Sequence, residues 1–88
     1  MVYLILYEFS GPEKNYQKFF REIHQIGKWE QPLKNTVVLC SDEKANAIYF
    51  RLKHHLTEND NLLIVQAGHD WFGFLSVEKL NWLQEILG

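Results

Sequence analysis

Cysteine is almost missing from this chain: Cys40 is the only one in 88 residues, so no intrachain disulfide can form. A lone thiol fits a reducing compartment, and Cys40 lies in a run of β-forming residues, where it reads as a small buried hydrophobe rather than a nucleophile. Net charge is also small, at −2. That excludes a strongly basic surface of the kind that grips nucleic acid regardless of sequence, and leaves room only for a local patch. Long hydrophobic runs are absent. The N-terminal run covers about eight residues, with no basic leader and no small-residue cleavage site, which predicts neither a signal peptide nor a membrane span and places the chain in the cytoplasm. Glycine-rich phosphate loops, zinc-ligand sets and Ser-His-Asp arrangements are missing as well, so the common motif-borne chemistries have no foothold. Repeats, linkers and low-complexity stretches are not found either.

What is present is ample material for a core. Hydrophobic residues make up 47% and aromatics 15% of the chain, which excludes a disordered polypeptide. Residues 1–88 are read as one domain, with a radius of gyration of roughly 12 Å if compact.

The stretch from Val2 to Phe9 organises the rest. It reads as a strand that Ser10-Gly11-Pro12 ends. At the two-residue period of a strand, Tyr3, Ile5, Tyr7 and Phe9 share one face, while Val2, Leu4 and Leu6 share the other with Glu8. Both faces are apolar, so both need cover. Helices can cover one, and the other predicts a partner, most simply a second copy of the chain.

Ser10 is the expected N-cap of a helix with Pro12 in its first turn and Gly27 as its stop. Tyr16, Phe19, Phe20, Ile23 and Ile26 recur at helical spacing, and Lys14, Lys18, Arg21, Gln25 and Lys28 fall on the opposite side. That outer stripe is either a solvated face or a phosphate rail. Trp29-Glu30-Gln31, ended by Pro32, and Thr36 to Cys40 are expected to form a hairpin around Lys34-Asn35. Ser41 or Asp42 would cap a second helix running to Leu56, with Ala45, Ile48, Tyr49, Leu52 and Leu56 inward and Phe50 outside that face. His54 and His55 are adjacent and therefore on different helix faces; they are read as complementing the helix C-terminus, not as a metal pair. His24 is isolated. Leu62 to Ala67 reads as a buried strand. The aromatic run from Trp71 to Leu75 is expected to lie extended on the sheet or on a second subunit. Ser76 would cap a last helix with Leu80, Leu83, Ile86 and Leu87 inward and Trp82 at the margin.

This order predicts an α+β chain: a ferredoxin-like βαββαβ sandwich with an extra C-terminal extended segment and helix. A first strand ending in Tyr7-Glu8, a helix closed by Gly27 and the hairpin strand Thr36–Cys40 together resemble the second core protein of CRISPR adaptation systems. His55-Leu56 followed by Asn59-Asp60, with Trp71, Gly73 and Phe74 later, is more similar to small SinR-like bacterial proteins grouped with that family and with VapD-type toxins. The resemblance covers nearly the whole chain and implies a homodimer. In it the first-strand acids, here Glu8 where Asp is typical, would face each other and share Mg²⁺ or Mn²⁺.

Three functions follow as expectations. The favoured one is a non-catalytic dimeric module that binds RNA, DNA or a protein partner, with Phe50, Trp71 and Trp82 as contact residues. A metal-dependent nuclease would use Glu8 as catalytic and metal-binding residue and Lys14, Lys18, Arg21 and Lys28 to hold phosphates. A small-ligand-binding dimer would use His69-Asp70 beside Trp71 as a polar corner.

Overall fold

The computed structural model describes all 88 residues. Four strands, β1 (Val2–Glu8), β2 (Lys28–Leu33), β3 (Thr36–Cys40) and β4 (Asn61–Gln66), form one antiparallel sheet in the order β2-β3-β1-β4. A single turn of 3-10 helix (Glu13–Tyr16) leads into α1 (Gln17–Ile26), α2 (Ala45–Lys53) links β3 to β4, and α3 (Val77–Leu87) ends the chain. The molecule is an α+β domain with a Cα radius of gyration of 13.0 Å.

The most apolar stretch takes a central strand, where two neighbours satisfy its backbone. β1 pairs with β3 through Tyr3↔Leu39 and Ile5↔Val37, and with β4 through Leu4↔Val65, Leu6↔Leu63 and Glu8↔Asn61. Its odd-numbered face is sealed by α1 and α2. Tyr3, Ile5, Tyr7, Phe19, Ile23, Val37, Leu39, Ile48 and Leu52 are all 3% exposed or less. Each such side chain contributes about 1.5–3 kcal/mol by leaving water. Phe9 extends this core, stacked on Tyr16 with ring centres 3.7 Å apart and packed edge-on to Phe19 and Phe20.

The second face is covered differently. Val38, Leu83 and Leu87 are buried together, with Val2, Leu4, Ala67, Trp71, Leu75, Trp82 and Ile86 packed around them. The chain's own C-terminal segment therefore covers part of the surface that the sequence assigned to a partner. Ser76 caps α3 as expected, accepting from the Lys79 amide at 3.3 Å. Lys79 Nζ donates to the Pro32 carbonyl at 2.9 Å, and His69 Nδ1 donates to the Leu87 carbonyl at 2.7 Å, so both ends of α3 are tied down. Cover is incomplete. Leu63 is 59% and Val65 42% exposed on the side of β4 that continues Leu6 and Leu4.

Several local expectations are corrected. Lys28 belongs to β2, not to the helix stripe, because α1 stops at Ile26. Gly27 is needed there for space: a Cβ would stand 1.9 Å from the Cys40 carbonyl oxygen. Pro32 lies inside β2 rather than ending it, at an edge strand whose register with β3 shifts between Glu30 and Leu33, where the missing amide costs nothing. Asn35 takes the one left-handed non-glycine conformation (φ 64°), at the hairpin tip. α2 starts at Ala45 and stops at Lys53; Ser41 instead accepts from the Glu43 amide in a local turn. β4 is an edge strand, so only alternate residues of its apolar run are covered.

Candidate functional site

The open part of the second sheet face collects most of the features that ask for a function. β1 and β4 form its floor, with Leu6, Leu63 and Val65 adjacent by register. A strap of extended chain from Ala67 to Ser76 forms its wall, without helix or strand. Trp71 and Leu75 of the strap point down into the second apolar cluster. Phe72 and Phe74 alternate with Gly73 between them and are fully exposed, at 103% and 104%. Between wall and floor runs a groove of about 580 Å³, lined by Leu4, Leu6, Val38, Phe72, Phe74 and Leu83 among others.

Glu8 stands at the end of the same floor. It is exposed, shares the face of Leu6, and accepts from Asn61 Nδ2 at 3.4 Å. A shallow depression of about 480 Å³ bordered by Leu6, Glu8, Asn61 and Leu63 joins it to the apolar floor. No group of three or more His, Cys, Asp or Glu side chains converges anywhere on the chain.

The basic residues lie elsewhere. Lys14, on the 3-10 turn, and Lys18 and Arg21, on α1, are exposed. The ion pairs of the molecule all involve Arg51 or His55, so these three cations have no acidic partner. Lys28 is exposed at the start of β2 and apart from that row.

Of the residues expected to meet a partner, Phe50 is 59% exposed on α2. Trp71 and Trp82 are not free: both are half-buried in the second apolar cluster, because the strap and α3 fold back onto the sheet. The aromatics left outward are Phe72 and Phe74, which alternation along the Trp71–Leu75 run would have separated from their inward neighbours. His69 does not form a polar corner with Asp70, since its imidazole is engaged by the end of α3. His24 is not isolated; it stacks on Trp29 with centroids 3.9 Å apart.

Two polar constellations escaped the sequence reading. Asp60 accepts five hydrogen bonds: Oδ1 from the Ser10 amide (2.7 Å), Ser10 Oγ (3.0 Å) and Tyr16 Oη (2.7 Å), and Oδ2 from the Thr57 amide (2.8 Å) and Thr57 Oγ1 (3.1 Å). Desolvation opposes ionisation of this carboxyl, but the amide bonds from Thr57 and Ser10, with the hydroxyl of Tyr16, outweigh it and hold Asp60 far below the usual carboxylate range. Ser10, expected as an N-cap, serves this clasp instead. The second constellation ties α1 to α2: Arg51 donates to Glu22 (2.8 Å) and to Glu43, and His55 Nε2 meets Glu22 Oε1 at 3.1 Å. His55 and then Arg51 lower the Glu22 pKa. His55 thus pairs with a carboxylate across the helix layer rather than serving its own helix end. Both sets hold loops and helices in place, away from the open face.

Comparison with protein-family models, with curated proteins and with solved structures finds no match. No helix is long and apolar enough to cross a membrane.

Proposed function

We propose that this chain is a non-catalytic binding module that works as a pair of copies, built on a ferredoxin-like βαββαβ frame and acting in the cytoplasm. The strand order β2-β3-β1-β4 with α1 and α2 on one face supports that frame. The short Tyr7-Glu8 strand end and the Trp71-Gly73-Phe74 cluster support kinship with SinR-like proteins and the CRISPR adaptation subunit. One observation carries the reading: five large apolar side chains, Leu33, Leu63, Val65, Phe72 and Phe74, are 42% to fully exposed. Leu33, Phe72 and Phe74 line the groove, and Leu63 and Val65 continue its floor. Water-exposed apolar area gathered in one place marks a contact surface. The unpaired Lys14, Lys18 and Arg21 stand on the helix layer, opposite that surface, and remain available to nucleic-acid phosphates when two copies meet face to face. Sedimentation velocity over a concentration series tests the pairing: a dimer supports it, a concentration-independent monomer refutes it. Titration with single- and double-stranded RNA and DNA at several salt concentrations tests the phosphate rail. An affinity that falls steeply with salt supports a nucleic-acid ligand, and no binding at low salt removes it in favour of a protein partner.

A second reading, a metal-dependent nuclease, is favoured by the position of Glu8 on the rim of the contact face. One copy offers a single carboxylate with an amide beside it, too few protein ligands for a dedicated site. Mg²⁺ or Mn²⁺ keeps several waters and needs one or two carboxylates, so Glu8 from each of two copies fits the ion where one copy does not. Bound there, the ion would polarise a phosphate oxygen or activate water. Cleavage of RNA or duplex DNA that requires Mg²⁺ or Mn²⁺, stops with EDTA and is lost in Glu8→Ala supports this reading; activity surviving that substitution refutes it.

A further inference from the structure

We infer that Phe72 and Phe74 are reciprocal anchors: each copy inserts them against the groove and the Leu63/Val65 floor of a second copy, about a two-fold axis. The inference rests on the paired reading above and names the contact that makes the pair.

Three observations lead to it. The strap is fixed where it begins and ends, by the inward packing of Trp71 and Leu75 and by the His69 and Lys79 bonds that hold α3. Phe72 and Phe74 are therefore presented outward by an anchored segment, not trailing from a loose one, and little ordering remains to be done on binding. Second, knob and hole are neighbours on one surface. An isologous interface needs a patch that complements itself, and a two-fold rotation that brings the phenylalanines of one copy over the floor of the other does the same in return.

Third, the area suffices. An aromatic side chain of this size offers about 150–200 Å² when buried, and Leu33, Leu63 and Val65 at their observed exposures add roughly another 250 Å². The sum is about 600 Å² per copy and about 1,200 Å² for the pair, at the lower bound for a stable specific interface. None of these five side chains is ionised, so the apolar centre of the contact carries no like-charge repulsion; Asp70, on the groove lining, and Glu8, on the rim, are the carboxylates beside it.

The test uses two variants of the full chain. Phe72→Ser/Phe74→Ser removes the knobs and Leu63→Lys spoils the floor; all three positions are exposed, and circular dichroism with urea unfolding verifies that each variant keeps the fold. Sedimentation equilibrium is expected to give a dimer for the unaltered chain and a dissociation constant raised at least about 100-fold for each variant. Mixing the two variants is expected to restore association above that of either alone, because one half of the interface then has intact knobs against an intact floor. A dimer that persists unchanged in Phe72→Ser/Phe74→Ser overturns the anchors while leaving the paired reading standing. Failure of the mixture to exceed its components overturns the reciprocal geometry. A monomeric unaltered chain overturns both.

Discussion

The two faces of the sheet are made from alternate residues of the same strand, yet they end in different states. Tyr3, Ile5 and Tyr7 are 2%, 0% and 3% exposed under two helices that hydrogen bonds and ion pairs hold together. Leu4 lies only one residue away, under a strap and a helix that leave Leu6, Leu63 and Val65 on the open floor. Both faces are mainly apolar; what differs is the reach of the chain that follows. α1 and α2 are connected within the sheet's own winding and must cross it, whereas α3 arrives after the last strand and covers what its eleven residues can span. The sealed face gives the domain its stability. The half-open one is left for something else.

That contrast has measurable consequences. The largest is expected at Ile5. Ile5→Ala opens a cavity where no neighbour can collapse and is expected to cost about 3–4 kcal/mol in urea unfolding. A loss under about 1 kcal/mol would mean that the helical face is not sealed. Leu83→Ala, beneath the roof on the second face, is expected to cost about 2 kcal/mol, since Leu83 retains 6% exposure and α3 can settle toward the sheet. Equal costs at Ile5 and Leu83 would erase the difference between the faces. Leu63→Ala is expected to change the unfolding free energy of the single chain by less than about 0.5 kcal/mol while weakening association.

Titration sharpens the same comparison. Burial, with the negative charge of Glu13 second, pushes the Tyr7 phenol up to about 12. The phenolate is the form that burial penalises, so the stability from Tyr7 is complete below its unfolded value near 10 and lost as pH rises through 12. Phenolate absorbance is expected to show a late step near pH 12, and Tyr7→Phe should remove it. At the acid end the sign reverses. Asp60 and Glu22 have lowered pKa values when folded, so the unfolded chain binds more protons as pH falls through about 4, and stability drops there. Asp60→Asn is expected to flatten the acid limb of the unfolding curve, and an unchanged limb would show that the Asp60 clasp contributes nothing.

Much of this was legible in the sequence, within limits that have physical causes. Alternation in Val2–Glu8 announced two apolar faces, helical spacing of Tyr16, Phe19 and Ile23 announced the cover of one, and Ser76 announced the start of α3. Period tells which side chains share a face, not which later segment lies over it, so Trp71 and Trp82 were assigned to a partner when their own chain uses them. The same limit applies at Leu63 and Val65: a run of apolar residues looks identical in a central strand and at an edge. The bonds from Ser10 and Tyr16 to Asp60 and from Arg51 to Glu22 were invisible because they span 50, 44 and 29 residues with no local pattern to join them; only the Thr57–Asp60 half of the clasp is local. Glu8 was legible as the acid of the first strand. Its place on the rim of the open face follows from the alternation already seen, and its partner Asn61 from the register of β4.

Small-angle X-ray scattering tests the central claim most directly, because it reads size and mass of the unaltered chain together. If the half-open face pairs, forward scattering gives twice the 10.5 kDa chain mass and the radius of gyration rises to about 16–18 Å. A value near the 13.0 Å of the single chain, with single-chain mass at every concentration, contradicts the account.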